Sequence, residues 1–84
     1  MKDELYHTLL EIVSQYCDIN RLNMDINLMS RPNNLYSRDM AAIFLDIKRI
    51  LNVEPKQIVS QMDDYTFNNL LRVLRNEKEN ESIV

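Results

Sequence analysis

The 84-residue sequence contains no glycine and no tryptophan, and it has only two prolines. Since glycine makes up about 7% of an average protein, its absence excludes the glycine-rich loops that bind phosphate in nucleotide-binding domains. Backbone positions that need a positive φ angle must then be occupied by another residue. Asparagine tolerates that conformation well, and the chain contains ten asparagines. We therefore expect asparagine at the turns where other proteins use glycine.

Cysteine and histidine are also scarce, with Cys17 and His7 as the only examples. A single cysteine cannot form an internal disulfide, which is typical of a protein of the reducing cytoplasm. One cysteine and one histidine without further ligands predict neither a metal site nor a catalytic dyad. No motif combines a base, a nucleophile and an orienting group, so we expect that the protein is not an enzyme.

Long apolar runs are missing too. A membrane-spanning helix needs about 18 or more apolar residues in succession, and the charged N-terminal segment does not have the apolar stretch of a signal peptide. The formal net charge is −3, whereas nucleic-acid-binding domains are usually basic. We therefore expect a small cytoplasmic domain, monomeric, with neither a membrane nor a nucleic acid as its partner.

Apolar residues recur at helical spacing in the two longest periodic segments. The first helix is predicted over residues 3–17, with Asp3 as its N-cap. The second is predicted over residues 38–51, and Asn52 is suited to end it in the left-handed conformation. The predicted buried stripes are Leu5, Leu9, Ile12, Val13 and Tyr16 in the first helix, and Met40, Ile43, Phe44, Ile47, Ile50 and Leu51 in the second.

Two further helices are predicted in the last third of the chain. Pro55 suits the first position of a short third helix, which Asp63 and Asp64 end. Thr66 is placed to cap the last helix. The predicted inward residues are Ile58, Val59 and Met62 in the third helix, and Phe67, Leu70, Leu71 and Leu74 in the fourth. From residue 77 onward the chain is polar, so we divide it into a helical domain over residues 1–76 and a frayed tail over residues 77–84.

The segment between the first two helices, residues 18–36, holds no regular period but contains many apolar residues. We expect a long loop that packs its own side chains on the core. A short strand or a helical turn within it is also compatible with the pattern. Loops of this length are uncommon in compact domains and are often functional. The predicted fold class is therefore all-α, with no strands elsewhere and no internal repeat.

This order of elements resembles the acyl carrier protein family over roughly residues 3–75. That family is a small four-helix bundle with a long first loop and a short third helix, and its prosthetic serine begins the second helix. Ser37 falls on that serine, and Asp39 and Met40 follow it as an acidic and a hydrophobic residue do in the family. Leu51-Asn52-Val53 resembles the family's Phe-Gly-Ile at the end of the second helix.

The resemblance implies a carrier function. Ser37 would hold a 4'-phosphopantetheine arm, attached by a phosphopantetheinyl transferase, and the arm would carry an acyl or an aminoacyl or peptidyl group as a thioester. Acyl- or peptide-processing enzymes would dock on residues 37–51. The residues that the resemblance implies as partner contacts are Arg38, Asp39, Leu45, Lys48 and Arg49.

The sequence also departs from the family pattern around the serine. Tyr36 and Arg38 occupy positions where the family has aspartate and leucine. Residues 37–51 contain two acidic and three basic side chains, a net charge of +1, whereas the family's second helix is typically acidic. With this helix charge the chain is more similar to the divergent carrier-related proteins of peptide maturation than to a housekeeping carrier. The retained serine, the helix spacing and the loop length favour such a carrier. The Tyr36 and Arg38 substitutions favour the alternative, a carrier-like docking module that has no prosthetic group and acts only by protein–protein interaction.

Ser37 has a purely structural interpretation as well. As the N-cap of the second helix, its hydroxyl would accept a hydrogen bond from the backbone N–H of Asp39 or Met40, which stabilises a helix by about 1 kcal/mol. That role requires no function. A capping serine can also be modified, so the capping and carrier interpretations are compatible.

Overall fold

The computed structural model describes the backbone of residues 3–83 and the side chains of residues 3–79. This part of the chain is all-α, as predicted, and forms no β-strand. Its α-helices are α1 Glu4–Ser14, α2 Ser37–Leu51, α3 Pro55–Val59 and α4 Phe67–Ile83, and a 3₁₀ turn occupies Ile19–Arg21. None of these helices combines the length and the apolar composition that crossing a bilayer requires.

Helix α1 begins as its sequence predicts and ends earlier. The carboxylate of Asp3 accepts a hydrogen bond of 2.9 Å from the backbone N–H of Tyr6, which confirms Asp3 as the N-cap. The predicted end at residue 17 is wrong, because the α-helix stops at Ser14. There the backbone tightens into a final turn, with the N–H of Gln15 bonded to the carbonyl of Ile12 and that of Tyr16 to Val13.

Asparagine replaces glycine at the turns, as the composition predicts. Asn52 ends α2 in the left-handed conformation with a φ of 59°, and its N–H bonds to the carbonyl of Lys48. Asn34, just before α2, has a φ of 57°. Every residue with positive φ in the described part of the chain is therefore an asparagine, the non-glycine residue that is enriched in this region.

The predicted starts of α3 and α4 are confirmed. Pro55 occupies the first turn of α3, and the hydroxyl of Thr66 accepts a hydrogen bond of 3.1 Å from the N–H of Asn69. Two residues predicted to be buried are not: Val59 is 45% exposed and Ile50 is 48% exposed. Val59 is the last residue of a five-residue helix that buries only Ile58, and Ile50 lies at the edge of its stripe, beside an open groove next to α1.

Helix α4 is longer than predicted. It continues to Ile83, so the helix includes residues 77–83, which we assigned to the tail. The added turns are anchored to other helices. The ammonium of Lys78 donates a hydrogen bond of 2.5 Å to the carbonyl of Leu51 at the end of α2. The carboxylate of Glu77 accepts one of 3.0 Å from the side-chain amide of Gln61, beyond α3.

A single apolar core joins the four helices. Helix α1 packs against α2 and α4, and α3 packs against both α2 and α4. Most of the predicted inward residues are confirmed, since the fully buried side chains come from all four helices and from the long loop. They are Phe67, Leu9, Ile12, Leu28, Ile43, Ile47, Ile58, Leu70, Leu74, Val13 and Val73.

The long loop packs on this core, as predicted. Leu28 is completely buried, and its N–H donates a hydrogen bond of 2.8 Å to the carbonyl of Tyr65, just before α4. Leu35 is buried beside it, and its N–H bonds to the carbonyl of Leu28. An isolated antiparallel bridge between Asn27 and Thr66 completes the attachment. These contacts hold the loop on the core as far as Leu35, and they therefore fix the position at which α2 begins.

Asn33 organises the interior of that loop. Its side chain is 6% exposed, and its carbonyl oxygen accepts a hydrogen bond of 2.7 Å from the N–H of Asn23. Its amide group donates to the carbonyls of Asn23, Ile26 and Asn27. A buried amide is stable only when its polar atoms are satisfied, and here one side chain satisfies the backbone of a loop that lacks regular structure.

Candidate functional site

The start of α2 is capped by residues on either side of Ser37, not by Ser37 itself. Tyr36 is the N-cap residue, and its carbonyl accepts hydrogen bonds from the backbone N–H groups of Asp39 and Met40. The carboxylate of Asp39 accepts a hydrogen bond of 2.9 Å from the N–H of Tyr36. Ser37 is the first residue inside the helix. The N-cap interpretation of Ser37 is therefore wrong, because the cap lies one residue earlier and Asp39 supplies its side-chain acceptor.

The Ser37 side chain faces solvent. Its hydroxyl forms no hydrogen bond with the residues that the structure describes, and the first N–H groups of a helix have no partner within the helix. The positive end of the helix dipole also lies here. A phosphodiester attached to the Ser37 oxygen would lie next to free backbone donors and a favourable electrostatic potential, so the site fits the predicted prosthetic group.

Tyr36 and Arg38 form a pair beside Ser37. The guanidinium carbon of Arg38 lies 5.5 Å from the centroid of the Tyr36 ring, within the range of a cation–π contact. Tyr36 remains 66% exposed. The sequence identified Tyr36 only as a departure from the carrier pattern and assigned it no contact. The available signal was an aromatic residue two places before an arginine at a helix start, which is too common to be specific.

Four of the five predicted partner contacts lie on one side of α2. With 3.6 residues per turn, Arg38, Leu45 and Arg49 follow one another along a row at i, i+7 and i+11. Lys48 lies on the adjacent row, which begins at Ser37. We call the exposed side chains of Arg38, Ala41, Leu45, Lys48 and Arg49 the outward face of α2.

Leu45 is the apolar centre of this outward face. It is 62% exposed, as the resemblance implied, and it lies two turns after Arg38 and one turn before Arg49. The two acidic residues of α2 point elsewhere. Asp39, the fifth predicted contact, is half-buried and caps the helix, and the Asp46 side chain is only 16% exposed.

The basic residues of the outward face have partners at its rim. The Arg49 guanidinium lies 3.0 Å from the Asp46 carboxylate, and the Lys48 ammonium lies 3.4 Å from that of Glu54. The three more exposed members of these pairs, Arg49, Lys48 and Glu54, each keep at least half of the side chain in solvent. Ion pairs of this kind contribute little to stability, so Lys48 and Arg49 remain available to a second acidic group.

Asp46 connects the outward face to the turn that follows α1. The hydroxyl of Tyr16 donates a hydrogen bond of 2.6 Å to one Asp46 oxygen, and Arg49 donates to the other. The Tyr16 hydrogen bond, followed by that of Arg49, lowers the pKa of the Asp46 carboxyl below its ordinary value, and the same hydrogen bond raises the pKa of Tyr16. Sequence reasoning missed this contact, because thirty residues separate its partners and no local pattern links them.

Three further residues with reactive or ionisable side chains, His7, Cys17 and Asp64, lie outside α2. His7 is exposed. Cys17 is half-buried, and desolvation raises the pKa of its thiol. Asp64 accepts hydrogen bonds from the N–H and hydroxyl of Thr66 at the start of α4. Within the described residues, no three histidine, cysteine, aspartate or glutamate side chains form a group that could hold a metal ion.

Comparison with known proteins identifies no relative: no protein-family model, no curated protein and no solved structure matches the chain. The candidate site therefore consists of two features of this molecule itself. The first is the exposed hydroxyl of Ser37 at the start of α2. The second is the outward face that continues from it along the helix.

Proposed function

We propose that the protein is a divergent acyl-carrier-like protein. In this role Ser37 carries a 4'-phosphopantetheine arm, and partner enzymes recognise the protein through α2. The observation that supports the proposal best is the position of Ser37. It begins a long helix, faces solvent, and leaves the capping of that helix to Tyr36 and Asp39.

Attachment of the arm requires little of this chain. The Ser37 oxygen attacks the coenzyme A phosphorus nearest the pantetheine, the bond from that phosphorus to adenosine 3',5'-bisphosphate breaks, and the serine proton passes to a base of the transferase. The chain contributes an unhindered oxygen and the positive end of a helix dipole. When bound, the arm supplies a thiol that holds an acyl, aminoacyl or peptidyl group as a thioester.

The four-helix arrangement supports the same proposal. Helix α2 follows a long loop that is fixed to the core through Leu28 and Asn33, and it precedes a short α3. A carrier needs a rigid platform that holds the attachment point while the arm moves between active sites of other enzymes. Under this proposal the protein is a substrate and partner of enzymes and not an enzyme itself, and its cargo-processing partners dock on residues 37–51.

A specific observation favours the second candidate, a docking module without a prosthetic group. Tyr36 and Arg38 flank Ser37 and contact each other across it. Tyrosine and arginine are enriched among the residues that contribute most to protein–protein binding. In this case the start of α2 binds a partner through the exposed Tyr36–Arg38 pair, and Ser37 is only a small residue between them.

Intact-protein mass spectrometry tests the proposal. The full chain is incubated with coenzyme A, Mg²⁺ and a promiscuous phosphopantetheinyl transferase. We expect a mass gain of one phosphopantetheine, which Ser37→Ala abolishes. Ser60→Ala is the matched control, because Ser60 is also exposed at a helix end, and it should retain the gain.

The same measurement separates the two candidates. The carrier proposal is overturned if the recombinant chain gains no mass and the chain isolated from its native host is also unmodified. A mass gain that persists in Ser37→Ala would place the arm at another residue and would equally contradict the assignment of Ser37. If neither the recombinant nor the native chain is modified, the docking module is the candidate function that remains.

A further inference from the structure

The acidic and the basic side chains of α2 lie on different sides of the helix. The helix has two acidic and three basic residues, so its net charge is small. However, Asp39 is used at the cap and Asp46 is held by Tyr16, whereas all three basic side chains belong to the outward face. The protein as a whole has a net charge of −3. The outward face is therefore a basic patch on an acidic molecule.

We propose that the outward face of α2 binds a protein surface that presents acidic side chains around an apolar patch, and that Leu45 packs on that patch. The inference deepens the proposed function, on which it rests for the choice of α2 as the docking element. It does not require an arm on Ser37. The partner thus presents an acidic docking surface, and a partner with a basic docking surface would contradict the proposal.

Charge complementarity supports the acidic character of the partner. Arg38 forms no ion pair with a described residue, and its guanidinium lies over the exposed Tyr36 ring. The guanidinium of an arginine matches a carboxylate in a two-point hydrogen-bonded pair. Glu54 pairs with Lys48 at the surface, and Arg49 keeps 70% of its side chain in solvent although its partner Asp46 is largely buried. A partner's carboxylates can therefore share both cations at small cost. Like charges on a basic partner would repel all three residues.

The apolar centre distinguishes a protein partner from a nucleic acid. Leu45 lies between Arg38 and Arg49 along one row and exposes 62% of its surface. An aliphatic side chain surrounded by charges is typical of a protein interface, which has an apolar centre and a polar rim. A phosphate backbone offers Leu45 no apolar contact.

Titration of the ¹⁵N-labelled full chain, followed by NMR, tests the inference. The probe is a synthetic helical peptide that presents glutamate and leucine on one side, and the comparison peptide has lysine in place of each glutamate. We expect the glutamate peptide to shift the amide signals of residues 38–49 and to bind more weakly as salt increases. The lysine peptide should bind at least about tenfold more weakly, since charges of one sign then face each other.

Variants identify the residues responsible. Because truncating a central interface side chain commonly costs a factor of about ten in affinity, we expect Leu45→Ala to weaken binding of the glutamate peptide by about that factor. Arg38→Glu should weaken it similarly and restore binding of the lysine peptide in part. Lys56→Glu on α3 is the matched control, because Lys56 is exposed outside the outward face, and it should leave the affinity within about twofold.

Four results would overturn the inference. The glutamate peptide does not bind, or it shifts only the signals of residues outside α2. The lysine peptide binds equally well, or Lys56→Glu and Arg38→Glu lose equal affinity for the glutamate peptide. Tighter binding of a DNA duplex than of the glutamate peptide would assign the outward face to a nucleic acid instead. The titration is repeated with Ser37→Ala. If Ser37→Ala binds the glutamate peptide as the wild type does, docking does not depend on Ser37, and the inference stands even if the carrier proposal fails.

Discussion

At the residue scale, the start of α2 divides capping and exposure between neighbouring side chains. Asp39 performs the structural task, since its carboxylate accepts the hydrogen bond from the N–H of Tyr36. Ser37 contributes no such bond and stays in solvent. A serine at a helix start is usually explained by capping. Here Asp39 provides the capping hydrogen bond, so the exposed hydroxyl of Ser37 takes no part in capping the helix.

The assignment of the cap to Asp39 can be tested by comparing the stabilities of two variants. We expect Asp39→Ala to lower the free energy of unfolding by about 1 kcal/mol, because the cap of α2 is lost. Ser37→Ala should change it by less than about 0.5 kcal/mol, as for other surface substitutions. Urea denaturation followed by circular dichroism measures both. A larger loss for Ser37→Ala than for Asp39→Ala would return the capping role to Ser37 and contradict the arrangement described here.

At the element scale, Asp46 couples α2 to the turn that follows α1 through a charge-dependent contact. The hydrogen bond from Tyr16 lowers the pKa of Asp46 from its ordinary 3.8 and raises that of Tyr16 from its ordinary 10.0. The stabilisation from Asp46 is therefore present above the ordinary carboxyl pKa and is lost as the pH falls through the lowered value. The stabilisation from Tyr16 is present below about pH 10 and is lost as the pH rises through the raised value.

Replacing Tyr16 by phenylalanine should make this pH dependence visible. The wild-type chain should be more stable than Tyr16→Phe at about pH 7, and the difference should shrink towards about pH 3 and above about pH 10. Urea titrations across this range measure it. The lowered pKa of Asp3 acts in both proteins and cancels in the difference.

Tyr36→Phe serves as the control, since that hydroxyl forms no hydrogen bond with a described residue and the substitution leaves the hydrogen bond between Tyr16 and Asp46 in place. A difference between wild type and Tyr16→Phe that does not vary with pH would contradict the coupling through Asp46.

The elements themselves were largely predictable from the sequence, since their signals are local. Asp3, Pro55 and Thr66 mark helix starts by their own backbone and hydrogen-bonding preferences, and Asn52 marks an end. The errors occurred where neighbours decide the outcome. Ile50 fits the helical period of its buried stripe, but the exposure of a residue at the stripe edge depends on how closely the next helix approaches.

The candidate site was predictable to a smaller extent. The position of Ser37 near a helix start and the exposure of Leu45 follow from helical periodicity. The transfer of the cap to Asp39 depends on a one-residue shift of the helix boundary, a precision that periodicity does not provide. The contact between Tyr16 and Asp46 joins the turn after α1 to α2, so it depends on how distant parts of the chain pack together.

At the scale of the whole molecule, the long loop is a part of the core and not a connection around it. Leu28 contributes a fully buried side chain alongside those of the four helices. Asn33 satisfies the loop backbone from within. Because α2 begins directly after this loop, the placement of Ser37 and of the outward face depends on the same contacts that stabilise the fold.

Adjacent residues of the loop test this description. Leu28→Ala should lower the free energy of unfolding by about 2–5 kcal/mol, the range for truncating a buried leucine. Met29→Ala is the matched control: Met29 is 40% exposed, and its truncation should cost less than about 0.5 kcal/mol. Since a small domain has only about 5–15 kcal/mol in total, urea denaturation resolves the difference easily. Equal effects of the two substitutions would show that the loop does not pack on the core, and the rigid support for the start of α2 would then be lost with it.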